Sequence, residues 1–458
     1  MATTSGTRLD RTLGLTSVVL FGLAYLTPII VLGIFGLIAG ASGGATASSY
    51  LLAMVALLFT AYSYGRMAVA FPVAGSAYTY VRKCIDSRIG FLAGWAILLD
   101  YLFLPMVIWL FGGLYLEAEF PSVPLWVWIL AFILTTTALN IIGIKVAARA
   151  NFLLMAFQIL VLVLFVALSA AEVIQRDGGS GLVAAHPFAN DATTLSVISA
   201  GSAIAAYSFL GFDAVSTLTE ETKDPQRTIP RAIMLVALIG GGIFVLVAYT
   251  TTLVSPGVPN PDTSGTLALD IAKLIGGAFF GSIFLAGLIL AQYASGLAAQ
   301  ASVARLLYAM GRDNVLPRKL FGVLHPQYRT PVLGLLLSGA VGLLAIWFDP
   351  ASSTAFINFG AFIAFTLVNL SVVAYFMSQR NASVTLNPMA YVVVPIIGAL
   401  FTIWLLTRLD SRAITLGLVW LGIGVVYLAF LTKGFRTAPP EMEFAETAET
   451  TTEPVHGG

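Results

Sequence analysis

The sequence has few charged residues, one cysteine and three histidines, and each scarcity excludes a class of protein. Charged residues make up 10% of the 458 residues, whereas soluble domains carry roughly 25%, so the chain cannot cover a water-facing surface of its size. The formal net charge of +1 lacks the cationic excess that nucleic acid binding requires. The single cysteine, Cys84, excludes an internal disulfide framework and a cysteine-built metal site. The three histidines are too few for a histidine-rich catalytic or zinc centre. They are His186, His325 and His456.

Apolar residues dominate instead, at 58% of the chain with a mean hydropathy of +0.92. Runs of about 20 apolar residues are long enough to cross a lipid bilayer as helices. We therefore predict an all-α integral membrane protein with 12 transmembrane helices. The first 12 residues are polar and lack the features of a cleaved signal peptide, so we expect the first segment to be retained. The predicted segments are 13–40, 47–70, 90–115, 124–144, 152–171, 194–217, 231–254, 276–303, 331–348, 355–377, 388–407 and 412–432.

The basic residues predict the orientation of these segments. An even number of spans places both termini on one side of the membrane. Most of the 23 lysine and arginine residues then share the side of the termini, which the positive-inside rule identifies as cytoplasmic. We expect both termini to be cytoplasmic. The basic residues left on the opposite side are Arg176, Lys273, Arg408 and Arg412.

Two predicted segments are interrupted in mid-membrane. The first holds Gly22 and Pro28, and proline lacks a backbone donor and disfavours helix at the preceding residue. The sixth holds Gly211 among small polar and aromatic residues between Tyr207 and Asp213. Irregular backbone survives at this depth only where it lines a cavity, and segments one and six are equivalent in a five-plus-five inverted repeat. We predict a substrate site at the interruptions. The alternative is a pair of tolerated kinks, because glycine and proline are common in membrane helices.

Several motifs resemble those of the amino acid–polyamine–organocation family of secondary transporters, and the resemblance runs from about residue 10 to 435. The family motifs are FPVAGSAYTY at 71–80, YSFLGFD at 207–213, TEETKDPQRTIPR at 219–231, SVARLLYAMGRDNVLP at 302–317 and RTP at 329–331. Within the family the likeness is closest to bacterial proton-coupled putrescine importers. The stretches that carry this second likeness are GLAYLTP at 22–28, LLDYLFLP at 98–105, GFD at 211–213 and NFGA at 358–361.

The resemblance implies a LeuT-like fold, with a five-plus-five inverted repeat, broken helices 1 and 6 and two accessory helices. It also implies alternating access, coupling to the proton gradient and a place in a cell membrane, the inner membrane of a bacterium. Together with the orientation given by the basic residues and a tail rich in Pro, Thr and Glu, which we expect to be disordered, the resemblance gives the expected organisation. It is a cytoplasmic N-terminus (1–12), a first repeat (13–171), an extracytoplasmic loop (172–193), a second repeat (194–377), two accessory helices (378–432) and a disordered cytoplasmic tail (433–458).

Ionisable residues inside membrane spans are costly and are functional candidates by default. Asp100 lies in the middle of segment three, and Asp213 follows the Gly211 interruption. Glu220 and Glu221 come seven and eight residues later, and if this stretch is α-helical, Glu220 lies about 10 Å from Asp213 on nearly the same face. No lysine or arginine falls in mid-span. We predict that the four acids carry proton coupling or gating.

Buried carboxylates without a cationic partner either take up a proton or hold a cation. A diamine provides one ammonium for each of Asp100 and Asp213, and aromatic rings add cation–π contacts. We therefore favour putrescine or a related amine, with a neutral or cationic amino acid as the alternative substrate. The predicted substrate-binding residues are Gly22, Ala24, Tyr25, Leu26, Thr27, Asp100, Tyr101, Tyr207, Ser208, Phe209, Gly211, Phe212 and Asp213.

These residues also have structural interpretations. Asp100 could be held by neighbouring hydroxyls, and Asp213 could cap the inner half of helix six. The two glutamates could lie at the interface and pair with Arg227 or Arg231. Some family members carry a lysine in helix five that takes part in proton coupling. This sequence has Gln158 there, and because glutamine cannot titrate, proton coupling would depend on the acids.

Other function classes are less compatible with the sequence. A channel needs a continuous polar stripe, an enzyme needs a nucleophile–base or metal constellation within the spans, and an ATP-driven pump needs a phosphate-binding loop. None of these patterns occurs. We therefore expect a proton symporter without cofactor or metal. Its predicted partners are a small amine or amino acid, protons and the lipid bilayer, with no partner protein evident.

Overall fold

The computed structural model describes residues 11–72, 76–143, 148–260, 264–381 and 386–441. Over these ranges the chain is helical, with a single isolated β-bridge between Leu13 and Thr222. The α-helices are α1 (Leu15–Leu26), α2 (Ile30–Gly33), α3 (Phe35–Ala41), α4 (Thr46–Ala70), α5 (Ser76–Cys84), α6 (Ser87–Glu119), α7 (Leu125–Ile142), α8 (Ala148–Asp177), α9 (Leu195–Ala205), α10 (Pro225–Val254), α11 (Leu267–Arg312), α12 (Arg318–Phe321), α13 (Val332–Gly342), α14 (Pro350–Asn381), α15 (Val394–Leu406) and α16 (Ser411–Leu431).

Eleven helical stretches of the described residues are long and apolar enough to cross a membrane. A shorter apolar helix, Val332–Ile346, coincides with the ninth predicted segment. The eleven stretches coincide with the other predicted segments and are Leu15–Gly33, Thr46–Ala70, Ser87–Glu119, Leu125–Ile142, Leu153–Asp177, Leu195–Thr219, Pro225–Val254, Ser264–Arg312, Pro350–Gln379, Met389–Leu406 and Ser411–Leu431. The predicted all-α membrane protein is thereby confirmed.

Local sequence signals explain where several of these helices begin. Asp86 and Thr194 precede α6 and α9, and their side chains accept hydrogen bonds from backbone N–H groups of the first helical turn. The α10 helix begins with Pro225 at its first position, where the missing N–H leaves no hydrogen bond unmade. Asp86 and Thr194 therefore accept hydrogen bonds from N–H groups that would otherwise lack a partner at the helix end, and Pro225 has no such group.

The first helix breaks at Thr27. Its φ of 49° lies in the left-handed region, and its N–H bonds the Ala24 carbonyl to end α1. Helix resumes at Ile30. The short α2 that follows is hydrogen-bonded to α6. The Tyr115 hydroxyl of α6 donates to the Leu32 carbonyl at 3.1 Å and to the Gly33 carbonyl at 3.3 Å. Tyr115 therefore provides a donor for carbonyls near a helix end.

The second break lies between α9 and α10. After α9, a 3₁₀ turn covers Ala206–Phe209, and Gly211 then adopts a φ of +110°. A second 3₁₀ helix, Asp213–Glu220, continues the chain. The two breaks are in contact, because a Cβ at Gly211 would overlap the ring of Tyr25 from α1. Both unwound stretches therefore lie together inside the bundle.

The spans that hold α4, α6, α9, α10 and α14 are the most buried, and the last two long helices are peripheral. Only 28% of the Met389–Leu406 span and 17% of the Ser411–Leu431 span are buried. The α16 helix docks on α6 through Trp95 and Trp420, whose indole N–H groups each donate to the other's carbonyl at 2.9 Å. Their rings stack with centroids 5.1 Å apart.

Residues 1–10 and 442–458, which hold most of the predicted N-terminus and tail, lie outside the described residues. The beginning of the predicted tail is described and contacts the bundle. Arg88 donates to the Phe435 carbonyl at 2.7 Å, and Arg82 lies 3.5 Å from the Glu441 carboxylate. The first residues after α16 therefore pack on α5 and α6.

Candidate functional site

Asp100 lies halfway along α6, at a point where α14 approaches closely. A Cβ at Gly360 of α14 would meet the Ala96 carbonyl and Leu99, so glycine permits this approach. One oxygen of the Asp100 carboxylate is buried and has no hydrogen-bond partner among the described residues. A buried carboxylate oxygen without a partner is costly, and it is available to a ligand.

Asp213 is the first residue of the second 3₁₀ helix, immediately after the Gly211 break. Its carboxylate faces the backbone N–H groups of Gly211, Asp213 itself and Ala214. Such exposed N–H groups at the start of a helical segment favour a negatively charged group. The local interruption therefore supplies the backbone N–H groups that surround the Asp213 carboxylate.

Asp100 and Asp213 belong to one electrostatic cluster, because the Asp100 carboxylate is close enough to be influenced by the charge of Asp213. Tyr101 interacts with both acids and with the hydroxyl of Tyr25, and Tyr207 interacts with Asp100. Helix α1, helix α6 and the two 3₁₀ segments of the second break thus bring two acids and three tyrosines together. The described salt bridges all lie elsewhere, so neither acid is paired with a lysine or arginine of the described chain.

Several other predicted residues contact neighbouring helices. Ser208 is buried, and its hydroxyl lies 3.1 Å from that of Tyr50. Phe209 packs edge-on against Phe244, with ring centroids 5.1 Å apart. A Cβ at Gly22 would overlap the side chains of Val215 and Val236, so glycine permits α1 to approach its neighbours. Leu26 is 3% exposed, while Ala24 and Thr27 are half-buried. These residues shape the break.

An aromatic cluster behind Asp213 is not apparent from the sequence. Tyr64 of α4 is fully buried beside Asp213, and its hydroxyl influences the carboxylate without forming a regular hydrogen bond. Its ring packs edge-on against Phe212 and Phe365, with centroid distances of 5.8 and 6.0 Å. Phe212 is therefore held between α4 and α14.

Asn358 of α14 belongs to the NFGA stretch and has a buried side chain. Its Nδ2 donates to the Ala203 carbonyl near the end of α9 at 2.7 Å, and its Oδ1 has no hydrogen-bond partner among the described residues. The amide therefore satisfies a carbonyl near the broken end of α9. The NFGA motif is the signal in the sequence that could have identified Asn358 as a residue near the site.

The glutamates do not lie where an α-helix would place them. Asp213–Glu220 is a 3₁₀ helix, which has three residues per turn and rises about 2 Å per residue. Glu220 is therefore about 14 Å from Asp213 along the axis and on a different face, so the expected alignment on one face is wrong. The side chain of Glu220 is outside the described residues. Among the described side chains Arg227 pairs with Asp224, at 3.8 Å, and not with Glu221.

Gln158 lies in α8 with 7% of its surface exposed. Its Oε1 has no hydrogen-bond partner among the described residues. The part of the chain that the structure describes also contains no group of three or more histidine, cysteine or acidic residues placed to hold a metal ion. The site therefore consists of two carboxylates, hydroxyls and aromatic rings, which suits protons and organic cations.

The Gly211 contact leads to a prediction about the break. We expect Gly211→Ala to lower substrate uptake at least about tenfold, because a φ of +110° strains any other residue by roughly 1–3 kcal/mol and the methyl group would displace Tyr25. Thermal unfolding and uptake should be measured together in purified protein. Gly242→Ala is a matched control, because a Cβ at Gly242 of α10 meets nothing within 4 Å. Wild-type uptake in Gly211→Ala would contradict the importance of this contact.

Comparison with known proteins agrees with the architecture. Residues 17–430 match the amino acid permease family. The low-affinity putrescine importer PlaP of Escherichia coli (strain K12) is 41% identical over 445 residues, which cover 96% of this chain and 98% of that protein. The branched-chain amino acid permease BcaP of Bacillus subtilis (strain 168) is 28% identical over 459 residues, covering 94% and 96%. The chain therefore belongs to the amino acid permease family of amino acid–polyamine–organocation transporters.

Proposed function

We propose that this protein imports putrescine or a related small amine by proton symport, through alternating access across a cell membrane. The observation that carries the proposal is the pair Asp100 and Asp213, which share one electrostatic cluster inside the bundle without a cationic partner among the described residues. The similarity to a putrescine importer over nearly the whole chain supports the same substrate class.

The chemistry of a diamine fits this pair. Each ammonium group can form a charge-assisted hydrogen bond with one carboxylate, and such bonds are stronger than those between neutral groups. The rings of Tyr25, Tyr101 and Tyr207 supply faces for cation–π contacts worth up to about 2 kcal/mol when desolvated. A zwitterionic amino acid would bring its own carboxylate close to two acids, which is unfavourable.

Proton coupling and alternating access rest on the same elements. A buried carboxylate without a cationic partner is stabilised by taking up a proton. Symport requires the proton and the substrate to cross together, so we propose that the loaded carrier holds a proton on one of the predicted acids while the substrate is bound. The two broken helices meet at Gly211 and Tyr25, as in transporters with inverted repeats. We propose twelve spans in a five-plus-five repeat with two accessory helices, and cytoplasmic termini as the basic residues indicate.

Uptake of radiolabelled putrescine into proteoliposomes tests the coupling. We expect a pH gradient, inside alkaline, to raise initial uptake severalfold and a protonophore to abolish the increase, because protons moving down their gradient carry the substrate inward. Liposomes without protein provide the baseline. Uptake that ignores both the gradient and the protonophore would contradict proton symport and indicate exchange or facilitated diffusion.

Competition in the same proteoliposomes separates the two substrate classes. Unlabelled putrescine should suppress the signal at lower concentrations than leucine or arginine does, because only the diamine provides two ammonium groups and no carboxylate. Stronger suppression by an amino acid would favour the alternative function, a neutral or cationic amino acid permease or exchanger.

A further inference from the structure

A groove lies on the outside of the bundle, and neither of the two acids lines it. It is a groove of about 440 Å³ between α4, α10 and the start of α15, which is preceded by a π-helical turn at Met389–Val393. Its walls are almost entirely hydrocarbon. The apolar side chains that line it include Val55, Leu58, Phe59, Met234, Met389 and Val394.

A fixed cation lies at one end of this groove. The guanidinium of Arg66 lies 4.8 Å from the ring centroid of Tyr62, which also lines the groove, and 5.0 Å from that of Tyr391. Its Nε and Nη2 donate to the Tyr62 hydroxyl, and Tyr391 is a second hydrogen-bonding neighbour. No described carboxylate forms a salt bridge with Arg66. The charge is held in place by two rings and is not neutralised by the described acids.

A second arginine lies at the same level on the neighbouring helix. Pro230 of α10 packs against Gly65, because a Cβ at Gly65 would lie 3.1 Å from the Pro230 Cβ. Arg231 follows Pro230 and is exposed. It precedes Met234, a groove residue, by three positions and therefore shares its face of α10. Arg231 also has no salt bridge within the described chain.

We propose that this groove binds an anionic phospholipid of the cytoplasmic leaflet. One acyl chain lies along the hydrocarbon walls, and the phosphate accepts hydrogen bonds from Arg66 and Arg231. Guanidinium groups bind phosphate strongly because both partners are charged and the donors match the oxygens. The cytoplasmic leaflet is the anionic one and attracts basic residues near its surface. The proposal depends on the proposed orientation of the chain and is independent of the identity of the substrate.

The position of the groove gives the lipid a mechanical connection to transport. The α4 helix belongs to the first proposed repeat, α10 to the second and α15 to the accessory pair. A chain wedged between these three elements contacts both repeats at once, so any movement of α4 against α10 changes the shape of its site. We therefore expect the bound lipid to favour one conformation of the carrier.

The test uses full-length protein in nanodiscs made from equimolar phosphatidylglycerol and phosphatidylethanolamine, followed by native mass spectrometry of the released protein. Wild-type protein should retain phosphatidylglycerol in preference to phosphatidylethanolamine. Arg66→Gln and Arg231→Gln should each lower that preference by about tenfold, the effect of losing a hydrogen bond to a charged group. Arg318→Gln is the matched control, because Arg318 of α12 is an exposed arginine that does not line the groove.

A third variant tests the apolar part of the site. Ala390 lines the groove, and Ala390→Trp should fill it and remove the retained lipid while both arginines remain. Equal retention of the two lipids by wild-type protein would overturn the proposal, as would a preference that survives both arginine substitutions. Retention unchanged in Ala390→Trp would place the acyl chain elsewhere and overturn it as well. Because Arg231 is exposed, Arg231→Gln decides the matter even if Arg66→Gln fails to fold.

Discussion

Asp213→Asn should reduce putrescine uptake roughly a hundredfold to several thousandfold. Removing one partner of a buried ion pair costs about 3–5 kcal/mol, and each 1.4 kcal/mol is about tenfold in affinity. Asparagine has nearly the same size and keeps a carbonyl oxygen that can accept from the backbone N–H groups of Gly211 and Ala214. The break after α9 should therefore persist in this variant, so that the loss is one of charge. Initial rates of uptake over a range of putrescine concentrations provide the measurement.

The control for this substitution is Asp191→Asn, because Asp191 is exposed before α9 and remote from the acids. Both variants should elute as single species in size-exclusion chromatography and unfold within a few degrees of wild-type protein. Wild-type affinity and rate in Asp213→Asn would show that its carboxylate does not hold the substrate. Asp213 would then act only in orienting the second 3₁₀ helix.

The spanning helices were predictable because the bilayer imposes a strong constraint. A helix must offer about 20 apolar residues to hydrocarbon, and such runs are visible without any tertiary information. The same constraint makes Asp100 and Asp213 conspicuous, since mid-span acids are rare. Gly211 was equally visible, because a glycine beside small polar residues interrupts an otherwise regular apolar segment.

The surroundings of the acids were not predictable, because they depend on contacts between distant segments. Tyr64 comes almost 150 residues before Asp213 in the sequence, and only the packing of α4 against the second break places its hydroxyl beside the carboxylate. The expected alignment of Glu220 with Asp213 assumed an α-helix, and it fails for a local reason. The periodicity of a short stretch does not distinguish an α-helix from a 3₁₀ helix, and the two place a residue seven positions later on different faces.

Asp100→Asn should remove the preference for a diamine over a monoamine. Putrescine and 1-aminobutane differ by one terminal amine, so only putrescine can use both acids at once. The substitution should weaken putrescine binding about a hundredfold and leave 1-aminobutane, held by Asp213 alone, nearly unchanged. Binding of both amines to purified protein, by calorimetry or thermal shift, gives this comparison even where uptake is lost. Asp191→Asn is again the control. Asp349→Asn is less suitable, because the Asp349 carboxylate accepts a hydrogen bond from the Ser352 N–H that the substitution could disturb.

The two amines also distinguish a local role of Asp100 from a general one. If the affinities for putrescine and 1-aminobutane fall equally, Asp100 maintains the site as a whole and is not the partner of the second ammonium. If neither affinity changes while uptake loses its response to the pH gradient, Asp100 carries protons only. The result expected from its buried, unpartnered carboxylate oxygen is that the two affinities converge. The affinities for putrescine and 1-aminobutane converge only if the second ammonium group of putrescine contacts Asp100 directly. An indirect effect of the substitution would lower both affinities, because both amines bind through the same first ammonium group.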